Sequence, residues 1–246
     1  MSRTAAANND LNTVGKTPTQ INFVGASYAL TESRTLNLRQ EFAYTFGGRK
    51  NGLEERGQAK LRDTFIGLND TNLASFAGDG SLTGIARVYL PTGEESRFLT
   101  GRQGMLLGWL IANKPVGKWE FDAHFVAVYF NQSKDSYIDS NKPGVVNANI
   151  DYELNPFVGA TYNIHPKLAV YHQVGTDNYW KRPIPGAGMQ QIQTLDNETG
   201  FTYKPVAEVS INAALINSTN IWDNPKEFQM YRDEDSIYRL ILKATM

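Results

Sequence analysis

The segment WEFDAHFVAVYF, residues 119–130, alternates between two kinds of side chain. Successive side chains of a β-strand point to opposite faces, so Trp119 and Phe121 share an apolar face while Glu120 and Asp122 lie on the other. A soluble β-sandwich packs such an apolar face into its core, whereas a membrane barrel turns it outward to lipid and lines its lumen with the polar face. The rest of the chain decides between these two architectures.

The same alternation recurs in segments of about ten residues, the length that a tilted strand needs to cross a bilayer. It is most regular in residues 20–31, 34–47 and 149–164, whereas residues 102–113 are apolar on both faces. Helical periodicity is almost absent. With the first segment there are eleven candidate strands, the others being residues 60–70, 81–91, 167–176, 193–204, 207–217 and 236–246. The sequence therefore predicts an all-β fold, an antiparallel up-and-down transmembrane β-barrel.

The candidate strands predict a barrel of about 10–12 strands, and twelve is favoured because bacterial single-chain barrels have even strand numbers. The twelfth strand is expected within residues 8–19 or within residues 227–233. Residues 1–19 are otherwise predicted to be a mostly irregular N-terminal segment, and residues 20–246 to form a single barrel domain.

Short turns that contain proline alternate with long polar loops. The turns NKPVGK, IHPK and YKPVAE occupy residues 113–118, 164–167 and 203–208. The long loops are predicted at residues 91–101, 130–147, 176–189 and 218–235. Outer-membrane barrels have short periplasmic turns and long extracellular loops, and their tyrosines and tryptophans gather where the lipid-facing surface meets water. The alternation of short turns with long loops therefore favours a membrane barrel over a soluble sandwich.

Composition excludes several classes of function. The formal charge is −1 and the pI is about 6.3, so the chain lacks a basic surface and no nucleic-acid partner is predicted. Cysteine is absent, which excludes disulfides and thiolate sites. Mean hydropathy is −0.40, and no stretch approaches the roughly 20 apolar residues of a membrane-spanning helix. Residues 1–20 lack the apolar core of a secretory signal, so we expect a signal peptide to have been removed.

The alternation assigns side chains to the two faces of the barrel. The polar positions predicted to line the lumen are Arg39, Glu41, Arg87, Glu120, Asp122, His124, Asp151, Glu153, Asp196, Glu198, Lys204, Arg239 and Lys243. The positions predicted to face lipid are Phe42, Tyr44, Trp119, Phe121, Phe125, Tyr129, Tyr152, Val158, Tyr162, Tyr238, Leu240 and Leu242. Both signs of charge occur in the lumen set, so no strong ion selectivity is predicted. The change from Glu120 and Asp122 to Val126 and Val128 predicts a drier, narrower lumen towards the long loops.

His124, Asp122 and Glu120 invite comparison with a catalytic base and its orienting carboxylate. A spacing of two residues along one strand, however, is what any polar lumen wall produces, and no nucleophile can be placed beside them. Asp151 and Glu153 follow the same spacing, and their predicted role is electrostatic. We therefore predict no catalytic residues, no metal site, no cofactor and no enzymatic activity.

The YLPTGEES stretch at residues 89–96 stands at the start of a long loop. Together with the alternation and the turn rhythm of residues 20–246, it resembles a Gram-negative outer-membrane porin-like barrel. The chain also resembles the major porin-like outer-membrane protein of Bdellovibrio-type predatory bacteria. That resemblance implies a homo-oligomer, a trimer or a tetramer with the tetramer favoured, whose subunits enclose membrane lipid. One departure is Met246, since such barrels usually end on an aromatic residue.

Two functions are expected for such a protein of the Gram-negative outer membrane. The first is porin-like transport, the passive diffusion of small solutes or ions through the polar lumen. The second is a structural role as a lipid-binding, lipid-enclosing oligomer with little or no open pore. A soluble β-sandwich is the outside alternative, and it predicts folding without detergent.

Overall fold

The computed structural model describes residues 3–9, 19–45, 48–50, 53–55, 57–138, 146–184, 188–220 and 236–244. Within them the strands are β1 (Arg3–Asn9), β2 (Thr19–Ala29), β3 (Arg34–Thr45), β4 (Gly48–Lys50), β5 (Leu53–Glu55), β6 (Gln58–Phe76), β7 (Gly80–Leu90), β8 (Arg102–Val116), β9 (Trp119–Gln132), β10 (Ser136–Ile138), β11 (Val146–Ala148), β12 (Ile150–His165), β13 (Leu168–Ile184), β14 (Gly188–Val206), β15 (Val209–Asn220) and β16 (Ser236–Ala244). A short π-helix, Glu95–Thr100, lies between β7 and β8. Among the described residues, no helix is long and apolar enough to span a membrane.

Twelve of these strands form one closed barrel. Around the barrel the order is β1, β16, β15, β14, β13, β12, β9, β8, β7, β6, β3 and β2, and neighbours are antiparallel. The barrel closes at β1, where Ala6 pairs with Ile241 on one side and with Ile21 on the other. The predicted all-β, up-and-down barrel of twelve strands is confirmed. The remaining four strands form two hairpins, β4 with β5 and β10 with β11.

The twelfth strand lies further towards the N-terminus than the sequence predicts. β1 spans Arg3–Asn9 and so overlaps the predicted region 8–19 only at its last two residues; the other predicted region, 227–233, lies outside the described residues. The segment expected to be mostly irregular thus contains a barrel strand. The reason is closure: a barrel in lipid leaves no strand edge unpaired, so an alanine-rich segment with little alternation is recruited through its backbone.

The predicted long loop 176–189 is mostly strand. β13 continues to Ile184 and β14 begins at Gly188, and Trp180 pairs with Gln191 and Lys181 with Gln190. These two strands, of 17 and 19 residues, exceed the length that is needed to cross a bilayer. Their hairpin therefore extends past the pairing with β12, which ends at Lys181, and past the described pairing with β15, which ends at Thr194.

The two rims of the barrel differ in their connections. Residues 30–33, 77–79, 117–118, 166–167 and 207–208 form short turns on one rim, which we call the short-turn rim. Because the strand number is even, β1 starts and β16 ends at this same rim, where Arg3 pairs with Ala244. The opposite, long-loop rim carries the two hairpins and the π-helix. In the two-residue turn 117–118, Gly117 has φ of 62°, a conformation that favours glycine.

The two faces of β9 differ in exposure. Phe121 and Phe125 are 45% and 47% exposed on the outside, whereas Val128 and Phe130 on the inside are 7% and 8% exposed. Other exposed apolar side chains at outward positions are Leu36, Leu38, Ile66, Leu68, Val88, Leu106, Leu110, Val158, Val170 and Phe201. Such a continuous apolar exterior is typical of a barrel that lies in lipid.

Candidate functional site

The inward faces of the barrel strands form a polar interior, which is the candidate functional site. The pairing of β9 with β12 sets Asp122 opposite Gly159 and His124 opposite Phe157. Strand alternation continues these rows around the barrel. The predicted lumen residues at inward positions are Arg39, Glu41, Arg87, Glu120, Asp122, His124, Glu153, Asp196, Glu198 and Arg239. That they line a conducting lumen stays a prediction.

Two further predicted lumen residues lie at the rims. Asp151 stands next to a register shift in β12 and binds Arg182 Nε at 2.5 Å, and Arg182 also contacts Asp135 at 3.1 Å. Lys204 is exposed near the short-turn rim, where its backbone N–H donates to the carbonyl of Lys167. The alternation continues past the middle of each strand, so it cannot separate the interior from the rims. The Lys243 side chain lies outside the described residues.

On the β3–β7 side of the interior, arginines stack on aromatic rings. The Arg39 guanidinium lies 3.7 Å from the Phe23 ring centroid, and the Arg87 guanidinium lies 4.7 Å from that of Phe65. Arg39 also pairs with Glu41 at 2.8 Å. Because stacking on an aromatic face holds a guanidinium in one orientation, these arginines are fixed parts of the wall.

On the β12–β14 side, the carboxylates Glu153, Asp177 and Asp196 have no basic partner within ion-pair distance among the described residues. Their donors are Asn155 Nδ2 to Glu153 at 2.5 Å, Tyr179 OH to Asp177 at 3.0 Å and Thr194 Oγ1 to Asp196 at 3.2 Å. The sequence assigns Asp177 to a loop and therefore misses it. This side of the interior is therefore lined by three carboxylates that lack an ion-pair partner within the described part of the chain.

A hydrogen-bond network joins the inward faces of β13 to β16. Tyr171 OH donates to Glu198 Oε1 at 2.5 Å, and Arg239 forms an ion pair with the same oxygen. Asn212 Nδ2 donates to Tyr171 OH at 3.1 Å. The basic charge of Arg239 is therefore compensated, and its main effect is to hold four strands together.

His124 is held by its neighbours in the interior. Trp109 Nε1 donates to His124 Nδ1 at 3.0 Å, and the imidazole stacks on Phe157 with 4.2 Å between centroids. His124 Nε2 lies 2.9 Å from Asp122 Oδ2, without the alignment of a hydrogen bond. Glu120 instead accepts from Asn113. Since one ring nitrogen is occupied by Trp109 and the other faces Asp122, neither is presented as a general base.

The apolar character of both faces of β8 has a structural reason. Leu107, Trp109 and Ile111 point inward, and Val126 and Val128 of β9 pair with this row. The interior therefore has an apolar wall between its basic and acidic sides. Val126 and Val128 follow His124 towards the long-loop rim, as the sequence predicts, but the drier and narrower lumen there stays a prediction.

A cavity of about 450 Å³, which we call the mouth cavity, lies at the long-loop end of the interior between β6 and residues 91–101. A register shift in β6 between Thr64 and Leu61 allows both Arg62 and Asp63 to line it. The charged lining residues are Glu41, Lys60, Arg62, Asp63, Glu94, Glu95 and Arg102. The sequence assigns only Glu41 among them to the interior, because a β-bulge leaves no reliable trace in the alternation.

Asp63 anchors residues 91–101 beside the mouth cavity. It accepts hydrogen bonds from the Gly93 backbone N–H at 2.9 Å and from Ser96 Oγ at 2.6 Å, and it pairs with Arg102 Nη1 at 3.3 Å. The Asp63 side chain is only 9% exposed. Such a desolvated carboxylate with three donors is a strong attachment point.

The other end of the same loop is attached to the connection between β9 and β12. Asn149, which is 2% exposed, donates from Nδ2 to the carbonyl oxygens of Thr100 and Lys134 at 2.9 and 2.8 Å. Lys134 Nζ in turn donates to the carbonyl of Phe98 at 2.9 Å. Residues 91–101 are thus held on both sides, and the mouth cavity has a defined shape.

The predicted lipid-facing residues occupy the outside of the barrel. Those that are exposed there are Tyr44, Trp119, Phe121, Phe125, Tyr129, Tyr152, Val158 and Leu240. Phe42 and Tyr162 are half-buried, and the side chains of Tyr238 and Leu242 lie outside the described residues. The ring pairs Trp119–Tyr162 and Tyr129–Tyr152, with centroids 4.8 and 5.4 Å apart, lie near the two ends of β9, as in an aromatic girdle. Contact with lipid itself stays a prediction.

The described residues contain no group of three or more histidine, aspartate or glutamate side chains arranged to hold a metal ion. No family model matches the chain, and no curated protein matches its sequence. Solved structures, in contrast, do match.

The COG4313 outer membrane channel from Pseudomonas putida F1 superposes with a TM-score of 0.62 at 14% identity, over 98% of this chain and 91% of that chain. The KdgM and NanC porins superpose with TM-scores of 0.54 at 8% and 7% identity, over 100% of this chain and 99% of each of theirs. The fold is that of outer-membrane β-barrel porins. At such low identity the likeness concerns the fold alone, and it does not support the narrower resemblance to the Bdellovibrio-type protein.

Proposed function

We propose that this protein is an outer-membrane porin-like barrel through which small solutes or ions diffuse passively. The observation that carries the proposal is the combination, in one closed sheet, of an apolar outside and a charged inside. An apolar exterior is stable against lipid, and a charged interior is stable when it is hydrated. A hydrated interior that joins two rims is a pathway for small solutes.

The Gram-negative outer membrane is the proposed location. Closed antiparallel barrels satisfy every backbone hydrogen bond between strands, which is the requirement for a β-structure in lipid. The similar solved structures are an outer membrane channel and two porins, which supports this location. The short-turn rim, where β1 starts and β16 ends, would face the periplasm.

The solute class follows from the charges of the interior. The KdgM porin has a structure in complex with oligogalacturonate, which is a polyanion. In this chain Glu153, Asp177 and Asp196 form a wall without basic partners, which would repel a polyanion. The proposed solutes are therefore small ions and small polar molecules.

Conductance in planar bilayers tests the proposal directly. Folded protein is expected to add stepwise currents, and protein that has been unfolded by heat is the control without current. The repeated absence of steps from protein that is verified as folded would contradict an open pore.

A non-enzymatic role belongs to the same proposal. It is supported by His124, whose ring nitrogens both lie against neighbouring side chains, one against Trp109 and the other against Asp122. A homo-oligomer, with a tetramer favoured, rests on the sequence resemblance, and the mass of the detergent-solubilised complex tests it. The lipid-enclosing alternative gains no support from the similar structures.

A further inference from the structure

The mouth cavity is lined by charges of both signs in nearly equal number. Four carboxylates stand against three cationic groups, the carboxylates being Glu41, Asp63, Glu94 and Glu95 and the cations Lys60, Arg62 and Arg102. Arg39, which pairs with Glu41 at 2.8 Å, balances the set. A cavity of this kind has no net attraction for a simple anion or cation, so the arrangement of its charges decides what it binds.

The side of the mouth cavity that is formed by β3 and β6 has an excess of positive charge, because its cations outnumber its carboxylates. Glu41 is shared between Arg39 at 2.8 Å and Arg62 at 3.6 Å, so one guanidinium is in excess. Arg62 is 49% exposed and can reach a solute. Lys60 adds a second cation, and it has no hydrogen-bond or ion-pair partner within the described part of the chain.

The loop side of the mouth cavity is acidic. Glu94 and Glu95 are exposed, and neither makes a hydrogen bond or an ion pair with another described residue. They stand at the start of the π-helix, in the loop that Asp63 anchors to β6. The pair Asp63–Arg102 neutralises itself between the two sides. Uncompensated charges of opposite sign therefore face one cavity from two separate elements.

We propose that the mouth cavity binds a small zwitterion, an amino acid or a short peptide, with its carboxylate at Arg62 and Lys60 and its ammonium at Glu94 and Glu95. A volume of about 450 Å³ is within the usual range for small-molecule sites and suits a molecule of this size. Tyr89 adds a ring to the lining. A solute with one charge satisfies one side of the cavity and leaves the other without a partner.

This inference rests on the proposed function, since it names a solute class for the same interior, but its test does not need an open pore. The experiment measures binding to folded protein in detergent micelles by saturation-transfer NMR. The probes are triglycine, N-acetyl-triglycine, which keeps only the carboxylate, and triglycine amide, which keeps only the ammonium. Triglycine is expected to bind about fivefold more tightly than either analogue, the effect of one partly exposed ion pair.

Two double variants test whether the preference for triglycine arises in the mouth cavity. In the double variant E94Q/E95Q, triglycine is expected to bind no more tightly than N-acetyl-triglycine, whose own binding stays unchanged. The matched control is E32Q/E208Q, which removes two exposed carboxylates from turns on the short-turn rim and should keep the preference for triglycine. All four substitutions are at exposed loop or turn positions, and gel mobility without heating verifies folding of each variant.

Equal binding of the three probes, or no binding of any, would overturn the inference. An equal loss in E94Q/E95Q and in E32Q/E208Q would overturn it as well, because net charge rather than the cavity would then be responsible. A protein that binds triglycine selectively but never conducts would contradict the proposed function and leave the binding site in place.

Discussion

Asp63 illustrates how a single residue acquires a role that its position in the sequence does not reveal. It lies next to a register shift in β6. Its carboxylate accepts hydrogen bonds from Gly93 and Ser96 and forms an ion pair with Arg102. A buried carboxylate is stable only when its oxygens have donors, so the loop and the carboxylate depend on each other. Asp63 therefore holds the β6 side of the loop that shapes the mouth cavity.

Replacement of Asp63 by asparagine tests that dependence. The variant D63N keeps the size of the side chain but loses the ion pair with Arg102 and weakens its acceptors, a loss of about 1–3 kcal/mol in local stability. Amide hydrogen exchange in residues 93–101 is expected to become faster than in the unchanged protein. The control is D79N, in an exposed turn on the opposite rim where φ is 58° and asparagine is tolerated. Unchanged exchange in D63N would contradict the role of Asp63 in holding the loop, and would leave the contacts of Asn149 and Lys134 as its attachments.

Among the elements, β9 shows the difference between the two faces of the barrel clearly. Its outward row contains Phe121 and Phe125, and its inward row changes from Asp122 to Val126. In lipid an outward charge is costly at mid-strand, whereas an inward one can be hydrated. The assignment of the two faces can therefore be measured as a difference between neighbouring positions.

An arginine scan of β9 gives that measurement. Phe125→Arg is expected to lower the free energy of unfolding in lipid vesicles by about 2–4 kcal/mol, the cost of a cation near the bilayer midplane. Val126→Arg, the adjacent inward position, is expected to cost less because its guanidinium can reach the interior. Urea titration followed by tryptophan fluorescence measures both. A larger loss for Val126→Arg would reverse the assignment of the faces.

β1 can be tested in a similar way. Ala6 pairs with Ile241 of β16 on one side and with Ile21 of β2 on the other. Its backbone N–H points to one of these neighbours, so a residue without that N–H removes a ladder hydrogen bond at the point of closure. Ala6→Pro is expected to destabilise the barrel by about 1–3 kcal/mol, the cost of leaving the partner carbonyl without its donor. Ala6→Val keeps the donor and should retain the mobility of the folded form on an unheated gel. A folded, stable Ala6→Pro variant would mean that β1 is dispensable for closure.

For the whole molecule, the distribution of ion pairs decides the expected ion preference. Arg39, Arg102 and Arg239 each pair with a carboxylate, whereas Asp177 and Asp196 have no basic partner among the described residues. Asp177, which the sequence does not assign to the lumen, adds a carboxylate to a predicted lumen set in which seven carboxylates already outnumber five cations. Cations should be enriched in it relative to anions.

The reversal potential in a potassium chloride gradient measures this preference. The unchanged protein is expected to favour potassium over chloride, and the double variant D177N/D196N should lose about half of that preference, because two of the uncompensated carboxylates become neutral. E32Q/E208Q, with the same charge change on the short-turn rim, should keep it. Chloride selectivity of the unchanged protein would contradict the charge assignment.

Much of the fold was predictable because its main constraint is local. In WEFDAHFVAVYF the period of two follows from the geometry of one strand, and lipid outside with water inside makes every strand repeat it, so the barrel class could be predicted from the residues alone. The alternation itself gave eleven strands, and twelve followed only from the rule that bacterial barrels have even strand numbers. Inward positions such as Arg39, Glu120 and Glu198 follow from the same parity.

Other features were decided only by the tertiary structure. Three features depend on which backbones become neighbours in the sheet. They are the pairing of β1 with β16, the extension of β13 and β14 beyond the predicted strands, and the bulge in β6 that lets both Arg62 and Asp63 line the mouth cavity. The same holds for the charges. The sequence determines which carboxylates of the predicted strands point inward, but only the closed barrel decides that Glu198 forms an ion pair with Arg239, whereas Asp177 has no ion-pair partner among the described residues. Alternation is a property of one strand, whereas pairing is a property of the assembled sheet.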